Sequence, residues 1–152
     1  MKAYTGDITL ARELIKEFEG CRLTVYHCQA GKATIGYGHL CKESQTPITQ
    51  VQAEALLELD IRQFASSLWK LLKPVSLLVT SNEFNAMLSL IFNIGRDNFM
   101  NSTLLRLYLA GEIDAVDEEF LKWVYVAGRI NKGLQRRRKR EAQLFKIGRA
   151  HV

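Results

Sequence analysis

The most constraining feature of this 152-residue sequence is an apolar stretch, Phe84 to Gly95, that contains no Asp, Glu, Lys or Arg over twelve residues. A membrane-spanning helix needs about 18 or more apolar residues, so this stretch is too short to cross a bilayer. The four residues before it, Thr80-Ser81-Asn82-Glu83, form a capping box, which is typical of a helix start. We therefore expect a buried helix over 84–94, with the rest of the chain packed around it.

Further helices are predicted from apolar spacing and from caps. Ala11, Leu14, Ile15 and Phe18 follow the i, i+3, i+4, i+7 pattern of one helix face, which predicts a first helix over 8–19. Asp7 or Thr9 would cap this helix and Gly20 would end it. A second capping box, Thr49-Gln50-Val51-Gln52, begins a further helix that Pro74 closes. The other expected helices are 49–72, Ser102 to Leu109, Ile113 to Val124 and Gly133 to Phe145.

One region has strand character. Arg22 to Tyr26 and Lys32 to Tyr37 are short, rich in β-branched and aromatic residues, and separated by a turn at Ala30-Gly31. Gly36 and Gly38 favour a short sheet that bends closely around something. The pattern of one helix, a small sheet and then several helices predicts an α+β fold.

Composition narrows the class of protein without deciding its function. With 47% hydrophobic and 24% charged residues the chain is typical of one compact globular domain. From Lys122 onward it has ten basic residues and one acidic residue, so we expect a polyanionic partner such as nucleic acid, anionic lipid or bacterial cell wall. Residues 1–20 carry seven charges and lack the apolar region of a signal peptide, which predicts that the product starts in the cytosol.

Two features could support chemistry. Glu19 ends the first helix, where the helix dipole disfavours a carboxylate and suits a general acid, although a solvated helix-end Glu fits equally. Cys21, Cys28 and Cys41 lie within 21 residues and no other cysteine occurs. Three interpretations remain open: a zinc site, one disulfide or three reduced thiols. The spacings of the cysteines match no common closed zinc pattern, so we expect no metal.

Several strings of residues occur in an order and at spacings that resemble one family. The sequence is similar to the phage-type lysozymes, glycoside hydrolase family 24, the endolysins of tailed phages. The likeness covers nearly all of residues 8–145. Its strings are Phe18-Glu19-Gly20-Cys21-Arg22-Leu23, Tyr26, Thr34-Ile35-Gly36-Tyr37-Gly38-His39, Phe92-Asn93-Ile94-Gly95, Phe99, Ser102-Thr103-Leu104-Leu105, Glu119-Phe120, Trp123, Gly133-Leu134, Arg136-Arg137 and Glu141.

The resemblance implies a lysozyme-like architecture. A small antiparallel β lobe of about 21–45 and a larger α-helical lobe of about 49–145 would form a single domain over 1–145, with the active-site cleft between the lobes. Residues 146–152 back-translate into a string that reads like a sequencing adapter, so we expect a non-native or sequencing-derived tail; an ordinary basic tail is the alternative.

The resemblance also implies a catalytic set. The family pattern of Glu, eight residues, Asp or Cys, five residues and Thr matches Glu19, Cys28 and Thr34. Glu19 would protonate the leaving glycosidic oxygen, and Thr34 would hold the attacking water. Cys28 replaces a more usual Asp and would act as a thiolate if a neighbour such as His27 lowers its pKa, or else as a packing thiol.

Cysteine chemistry could regulate the site. Some family members trap the active-site cysteine in a disulfide, which implies possible redox control through a Cys21–Cys28 bridge with Cys41 as the resolving partner. Three reduced packing thiols are the alternative.

The remaining site residues are substrate and support groups. Leu40, Phe92 and Ser102 match positions that line the family's sugar groove, although Phe92 fits core packing equally. His39 could orient Glu19 or be structural. The basic run Arg136 to Arg140 could grip anionic wall polymer or disturb a membrane; the alternative is that Arg137 packs between lobes and the others are solvated.

The expected function is therefore a peptidoglycan hydrolase, a muramidase that cleaves the β-1,4 bond between N-acetylmuramic acid and N-acetylglucosamine and lyses bacterial cells. We expect a monomer without a cofactor that does not bind nucleic acid and has no membrane segment. It would begin in the host bacterial cytoplasm and reach the cell wall with a holin-type partner. The alternative is a catalytically weak cationic protein on the same fold that binds peptidoglycan or disrupts membranes.

Overall fold

A computed structural model of the chain describes residues 3–147. The elements follow in this order: α1 (Thr9–Glu19), β1 (Arg22–His27), β2 (Ala33–Gly36), β3 (His39–Leu40), α2 (Gln50–Leu71), a 3₁₀ helix (Lys73–Leu78), α3 (Ser81–Ile94), α4 (Arg96–Met100), α5 (Thr103–Leu109), a second 3₁₀ helix (Ile113–Ala115), α6 (Val116–Phe120), β4 (Tyr125–Val126), β5 (Arg129–Ile130) and α7 (Lys132–Lys146). Helices combined with a small antiparallel sheet confirm the predicted α+β class. Of the predicted tail, residues 148–152 lie outside the described residues.

The apolar helix α3 is the centre of the fold. Its capping box is present as predicted, because the Thr80 hydroxyl accepts from the Glu83 N–H and the Glu83 carboxylate accepts from the Thr80 N–H, each at 3.1 Å. Helices α1, α2 and α7 all pack against it, and Phe84 and Leu88 are completely buried. Over residues 3–147, no helix is both long enough and apolar enough to cross a membrane.

Helix α1 begins where its apolar spacing predicts, but a distant residue helps to cap it. The residue at the cap position is Ile8, which makes no side-chain capping hydrogen bond, so the prediction that Asp7 or Thr9 caps the helix is wrong. Asp7 instead accepts a hydrogen bond at 2.9 Å from the N–H of Thr9, the first helical residue. The next free donor, the Ala11 N–H, bonds to the side-chain oxygen of Asn85 on α3 at 3.0 Å. Gly20 ends the helix as expected.

The predicted hairpin is present and gains a third short strand. The sheet order is β1-β2-β3, with Arg22 opposite Gly36, His27 opposite Ala33, and Ile35 opposite His39. The register shifts between Arg22 and Tyr26, so β1 bulges away from its shorter partner. This small sheet lies between α1 and α2 in sequence and contacts α2.

The helix predicted over Ile113 to Val124 is wrong in its second half. The structure has only a 3₁₀ turn and the five-residue α6, and then the chain turns at 121–123 into the hairpin β4–β5. A 2.7 Å hydrogen bond from the Asn131 N–H to the Val124 carbonyl closes this hairpin. The short helix α4 was also not predicted. Both elements are too short for a periodic apolar pattern.

Candidate active site

Glu19 lies where the helical part of the protein meets the small sheet. It is the last residue of α1, and its side chain is 19% exposed. Arg137 of α7, whose side chain is 4% exposed, donates from Nη1 to Glu19 Oε1 at 2.8 Å. The guanidinium of Arg137 therefore joins α7 to the end of α1.

The sheet approaches Glu19 from the other side through Gly38. A Cβ atom at position 38 would lie only 2.8 Å from Glu19 Oε2, and Gly38 has φ +81°, which side-chain-bearing residues rarely adopt. The expectation that the glycines let the sheet bend closely around something is confirmed here. The group it bends around is the Glu19 carboxyl.

Cys28 and Thr34 lie together at the far end of the hairpin. The turn is closed by hydrogen bonds from the Gly31 N–H to the Cys28 carbonyl and from the Cys28 N–H to the Lys32 carbonyl, at 2.8 and 3.0 Å. The N–H of Lys32 points at the thiol and is the largest cause that lowers the pKa of Cys28, with further help from the Ala30 N–H and the Thr34 hydroxyl. The local turn therefore favours the thiolate.

Thr34 is a hydrogen-bonding neighbour of the Cys28 thiol. Its side chain is buried, and its hydroxyl donates to the Lys32 carbonyl at 2.8 Å. A hydroxyl has one proton, so a thiolate at Cys28 competes with that carbonyl for it. Tyr26 lies within electrostatic reach of both halves of the site: burial raises the pKa of its phenol most, and the charges of Glu19 and Cys28 raise it further.

His27 does not lie where the sequence suggested. It was expected to lower the pKa of Cys28, but its Nε2 pairs with Glu43 at 2.7 Å. Successive side chains of a strand point to opposite faces, so neighbours in sequence need not meet in space. The groups that lower the pKa of Cys28 are instead mainly backbone N–H groups.

His39 is likewise paired elsewhere. Its Nδ1 lies 2.7 Å from Asp60 Oδ2, which ties β3 to α2. The suggestion that His39 orients Glu19 is therefore wrong. Arg137 has that contact.

The three cysteines are free thiols held apart by the sheet. Cys21 and Cys28 flank the six-residue strand β1, and the part of β2 that pairs with it, Ala33–Gly36, spans about 10 Å at about 3.3 Å per residue. Cys41 follows β3, and β2 separates that strand from β1, which places them about 9–10 Å apart. A disulfide needs Cα atoms within about 7 Å, so the suggested Cys21–Cys28 bridge is absent and would require the hairpin to rearrange.

The cysteines also differ in their surroundings. Burial raises the pKa of Cys41, and Glu43 raises it further, whereas the pKa of Cys28 is lowered. The Cys21 thiol lies 3.6 Å from Gln50 Oε1. Within residues 3–147, no three His, Cys, Asp or Glu side chains are grouped so as to hold a metal ion.

The suggested substrate residues occupy three different environments. Leu40 on β3 is 58% exposed. Phe92 on α3 is half-buried and its ring packs against Phe64 at 5.5 Å. Ser102 has a structural role, because its hydroxyl caps α5 by accepting from the Leu105 N–H at 3.1 Å and donates to the Phe99 carbonyl at 2.6 Å.

A buried group of charges next to Glu19 was not expected. Arg138 and Glu141 are fully buried on α7, with Arg138 Nε 2.8 Å from Glu141 Oε1. Burial raises the pKa of Glu141, while the two guanidiniums and a Ser89 hydroxyl oppose this rise. The reading of Arg138 as part of a solvated basic face is therefore wrong. The i, i+3 spacing of Arg138 and Glu141 was the available signal, and it also occurs in exposed helices.

Comparison with known proteins agrees with this arrangement. The sequence profile of the phage lysozyme family matches residues 16–141. An endolysin of Acyrthosiphon pisum secondary endosymbiont phage 1 is 42% identical over 87% of this chain and 92% of that protein. An endolysin of Bacillus phage B103 is 37% identical over 89% of this chain, which spans about half, 52%, of that relative.

Solved structures give the same result. An endolysin from Escherichia coli O157:H7 phage FAHEc1 has a TM-score of 0.78 at 30% identity and covers 95% of this chain and 96% of its own. The muramidase domain of SpmX from Asticaccaulis excentricus has a TM-score of 0.80 at 31% identity and covers 93% and 97%. Fold and sequence similarity together define a lysozyme-type glycoside hydrolase. The chain belongs to the phage lysozyme family, and it is a peptidoglycan hydrolase.

Proposed function

We propose that this chain cleaves the β-1,4 bond between N-acetylmuramic acid and N-acetylglucosamine in peptidoglycan, and that Glu19 is the general acid. The observation that carries the proposal is the position of the Glu19 carboxyl. A buried Arg137 orients it at 2.8 Å, and Gly38, where a Cβ atom would lie 2.8 Å from Glu19 Oε2, leaves room for it. A general acid needs a fixed direction toward the leaving oxygen, and this arrangement supplies one.

Cys28 and Thr34 are proposed to serve the opposite face of the sugar. The turn lowers the pKa of Cys28 through the Lys32 N–H, which favours a negative charge close to the oxocarbenium-like transition state. Thr34 lies next to this sulfur, so a water between the two groups could be held for attack. The reaction would then be a single displacement with inversion at the anomeric carbon, because the thiolate and the water act in one step.

The substrate would lie along the junction of sheet and helices. We propose that the exposed Leu40 provides an apolar surface for a sugar ring and that Phe92 lines the same groove. The Ser102 hydroxyl already accepts one hydrogen bond and donates another within the protein, so its proposed part is to fix the start of α5, beside an open groove of about 370 Å³ that residues 100–109 line.

The wider biology follows from the family resemblance. We propose a monomer with one domain over residues 1–145, made in the host bacterial cytoplasm and released to the wall by a holin-type partner. Calorimetry that gives a single cooperative transition would support the single domain. Lysis of an expressing bacterium only when a holin is co-expressed would support the release route, and lysis without one would overturn it.

The test of the catalytic proposal compares Glu19→Gln with Glu17→Gln. Glu17 lies on the same helix and pairs with the exposed Arg140 at 2.9 Å, so its replacement removes a carboxylate and an ion pair of α1 and α7 without touching Glu19. Clearing of purified peptidoglycan and release of new reducing ends should fall by orders of magnitude in Glu19→Gln and stay unchanged in Glu17→Gln. Equal activity of wild type and Glu19→Gln would overturn the proposal. Killing of cells by Glu19→Gln without new reducing ends would favour the membrane-disrupting alternative.

A further inference from the structure

Four charged side chains form a buried ion cluster, which we define as Glu19, Arg137, Arg138 and Glu141. Arg138 and Glu141 are inaccessible to solvent, Arg137 is almost so, and Glu19 is the member nearest the surface. Two arginines and two glutamates balance formally. Arginine does not lose its proton in proteins, so both positive charges are permanent.

Glu141 is the point at which the cluster converges. Its Oε2 accepts from the Ser89 hydroxyl at 2.5 Å and from Arg138 Nη2 at 3.1 Å, and it lies 3.5 Å from Arg137 Nε. Arg137 in turn donates to Glu19. The guanidinium of Arg137 is therefore placed between two carboxylates.

The cluster is poorly arranged for stability alone. Arg137 Nε, Arg138 Nε and Glu141 Oε1 are buried and make no hydrogen bond of good geometry, although Arg138 Nε and Glu141 Oε1 are close enough for an ion pair. Well-packed apolar side chains often stabilise a core at least as well as buried ions do. Packing alone therefore does not explain these buried charges, whereas an effect on the chemistry of Glu19 would explain them.

A general acid must carry its proton when the substrate binds, and a nearby positive charge in general works against this unless another charge offsets it. Arg137 lies 2.8 Å from Glu19. The charged and titratable groups near the contact between Glu19 and Arg137 belong to α7 and to the sheet. From α7 they are Arg138 and Glu141, and from the sheet Tyr26 lies within reach. The nearby pair of Glu17 and Arg140 is exposed and self-neutralised. Glu141 is thus the anion within the cluster that can offset the arginines.

We propose that Glu141 is a positioning residue for the reaction: its buried carboxylate holds Arg137 in place and offsets its charge, so that Arg137 orients Glu19 without fixing it as a carboxylate. This inference rests on the proposed role of Glu19 as the acid. It predicts that charge changes within the cluster move the pH range of activity in directions set by their sign.

The experiment measures kcat/KM against pH on soluble peptidoglycan fragments, below the unfolding temperature of each variant. In Glu141→Gln the charge of the arginines is no longer offset. The basic limb, which is the fall of kcat/KM at high pH, should then move to lower pH by about one unit, and this is a tenfold loss on that limb. In Arg138→Gln one cation is removed, so the limb should move up. The double variant restores the balance and should return the limb to its wild-type position, and Glu17→Gln should leave it there.

A purely structural role would lower the unfolding temperature of these variants and leave in place both the basic limb and the titration midpoint of the Glu19 carboxyl, and that combined result would overturn the inference. If Glu141→Gln does not fold, the upward shift in Arg138→Gln and its reversal in the double variant test the same point. Carbon-13 NMR of the Glu19 carboxyl separates the two proposals. A titration midpoint that moves between variants while the activity profile does not would support the positioning role and overturn Glu19 as the acid; a midpoint that stays fixed would overturn the positioning role.

Discussion

The two halves of the site are built in different ways. The acid side, Glu19 with Arg137, joins residues 118 positions apart and depends on α1, α3 and α7 packing together. The thiol side, Cys28 to Thr34, is one turn of a hairpin in which backbone N–H groups face the sulfur. The comparison teaches that orientation of the acid is a property of the whole fold, whereas the charge of the thiol is a property of seven consecutive residues.

The largest expected effect breaks the acid side. Replacing Arg137 by Ala removes the contact that orients Glu19, and a misplacement of about 1 Å in a reacting group can reduce the rate about 100-fold. We expect kcat/KM to fall by about that factor or more, measured on soluble fragments. Arg140→Ala is the control, since it breaks only the exposed pair with Glu17. Equal losses in the two variants would mean that general charge reduction is responsible.

The next prediction concerns the point where the two sides meet. Gly38→Ala places a Cβ atom 2.8 Å from Glu19 Oε2, so the carboxyl must shift and kcat/KM should fall about tenfold or more. Gly128→Ala is a matched control, because Gly128 also has positive φ, +77°, but open space around it. Thermal unfolding should show a similar loss of about 1–2 kcal/mol from backbone strain in both variants. Activity should separate them.

A stability prediction sharpens the contrast between buried and exposed charges. Arg138→Ala leaves Glu141 with a weakened set of partners inside the protein and should lower the free energy of unfolding by about 3–5 kcal/mol. Arg62→Ala removes an exposed i, i+4 pair with Glu58 and should change it by less than about 1 kcal/mol. Urea unfolding of both variants tests this, and a small loss in Arg138→Ala would show that the buried Glu141 carboxylate keeps sufficient partners without Arg138.

The smallest expected effect concerns the thiol side. The pKa of Cys28 is lowered and that of Cys41 is raised, so a larger fraction of Cys28 is thiolate at neutral pH. Iodoacetamide should modify Cys28 several-fold faster than Cys41 at pH 7, since only the thiolate reacts. The ratio should shrink as the pH rises and both thiols ionise. Mass spectrometry of the separate peptides measures it, and a constant ratio would show that access, not charge, sets the rates.

Much of the fold could be predicted because its signals are local. The capping boxes at 49–52 and 80–83, the apolar face of α1 and the hairpin turn each depend on residues that are close together in the sequence. Tertiary packing then preserved those local preferences. The predicted helix end at Val124 was wrong, because the Val124 carbonyl accepts a hydrogen bond from the Asn131 N–H and the chain forms a hairpin there.

The site was predicted in its residue types more than in its contacts. The resemblance identified Glu19, Cys28 and Thr34, and the structure places the last two side by side. The partners of His27 and His39 were not predictable, because Glu43 and Asp60 reach them across strands and helices.

The sequence by itself determined where helices and strands begin, which segment is the core, and which family the chain resembles. Only the tertiary structure decided what the basic run 136–140 does, since two adjacent arginines point into the protein while Arg140 pairs on its surface. The physical reason is that helix propensity and caps act between near neighbours, whereas the burial of a charge depends on which distant partner meets it. Glu141 lies four residues from Arg137 on α7, whereas Glu19 comes from the other end of the chain, and folding alone brings Glu19 to the guanidinium.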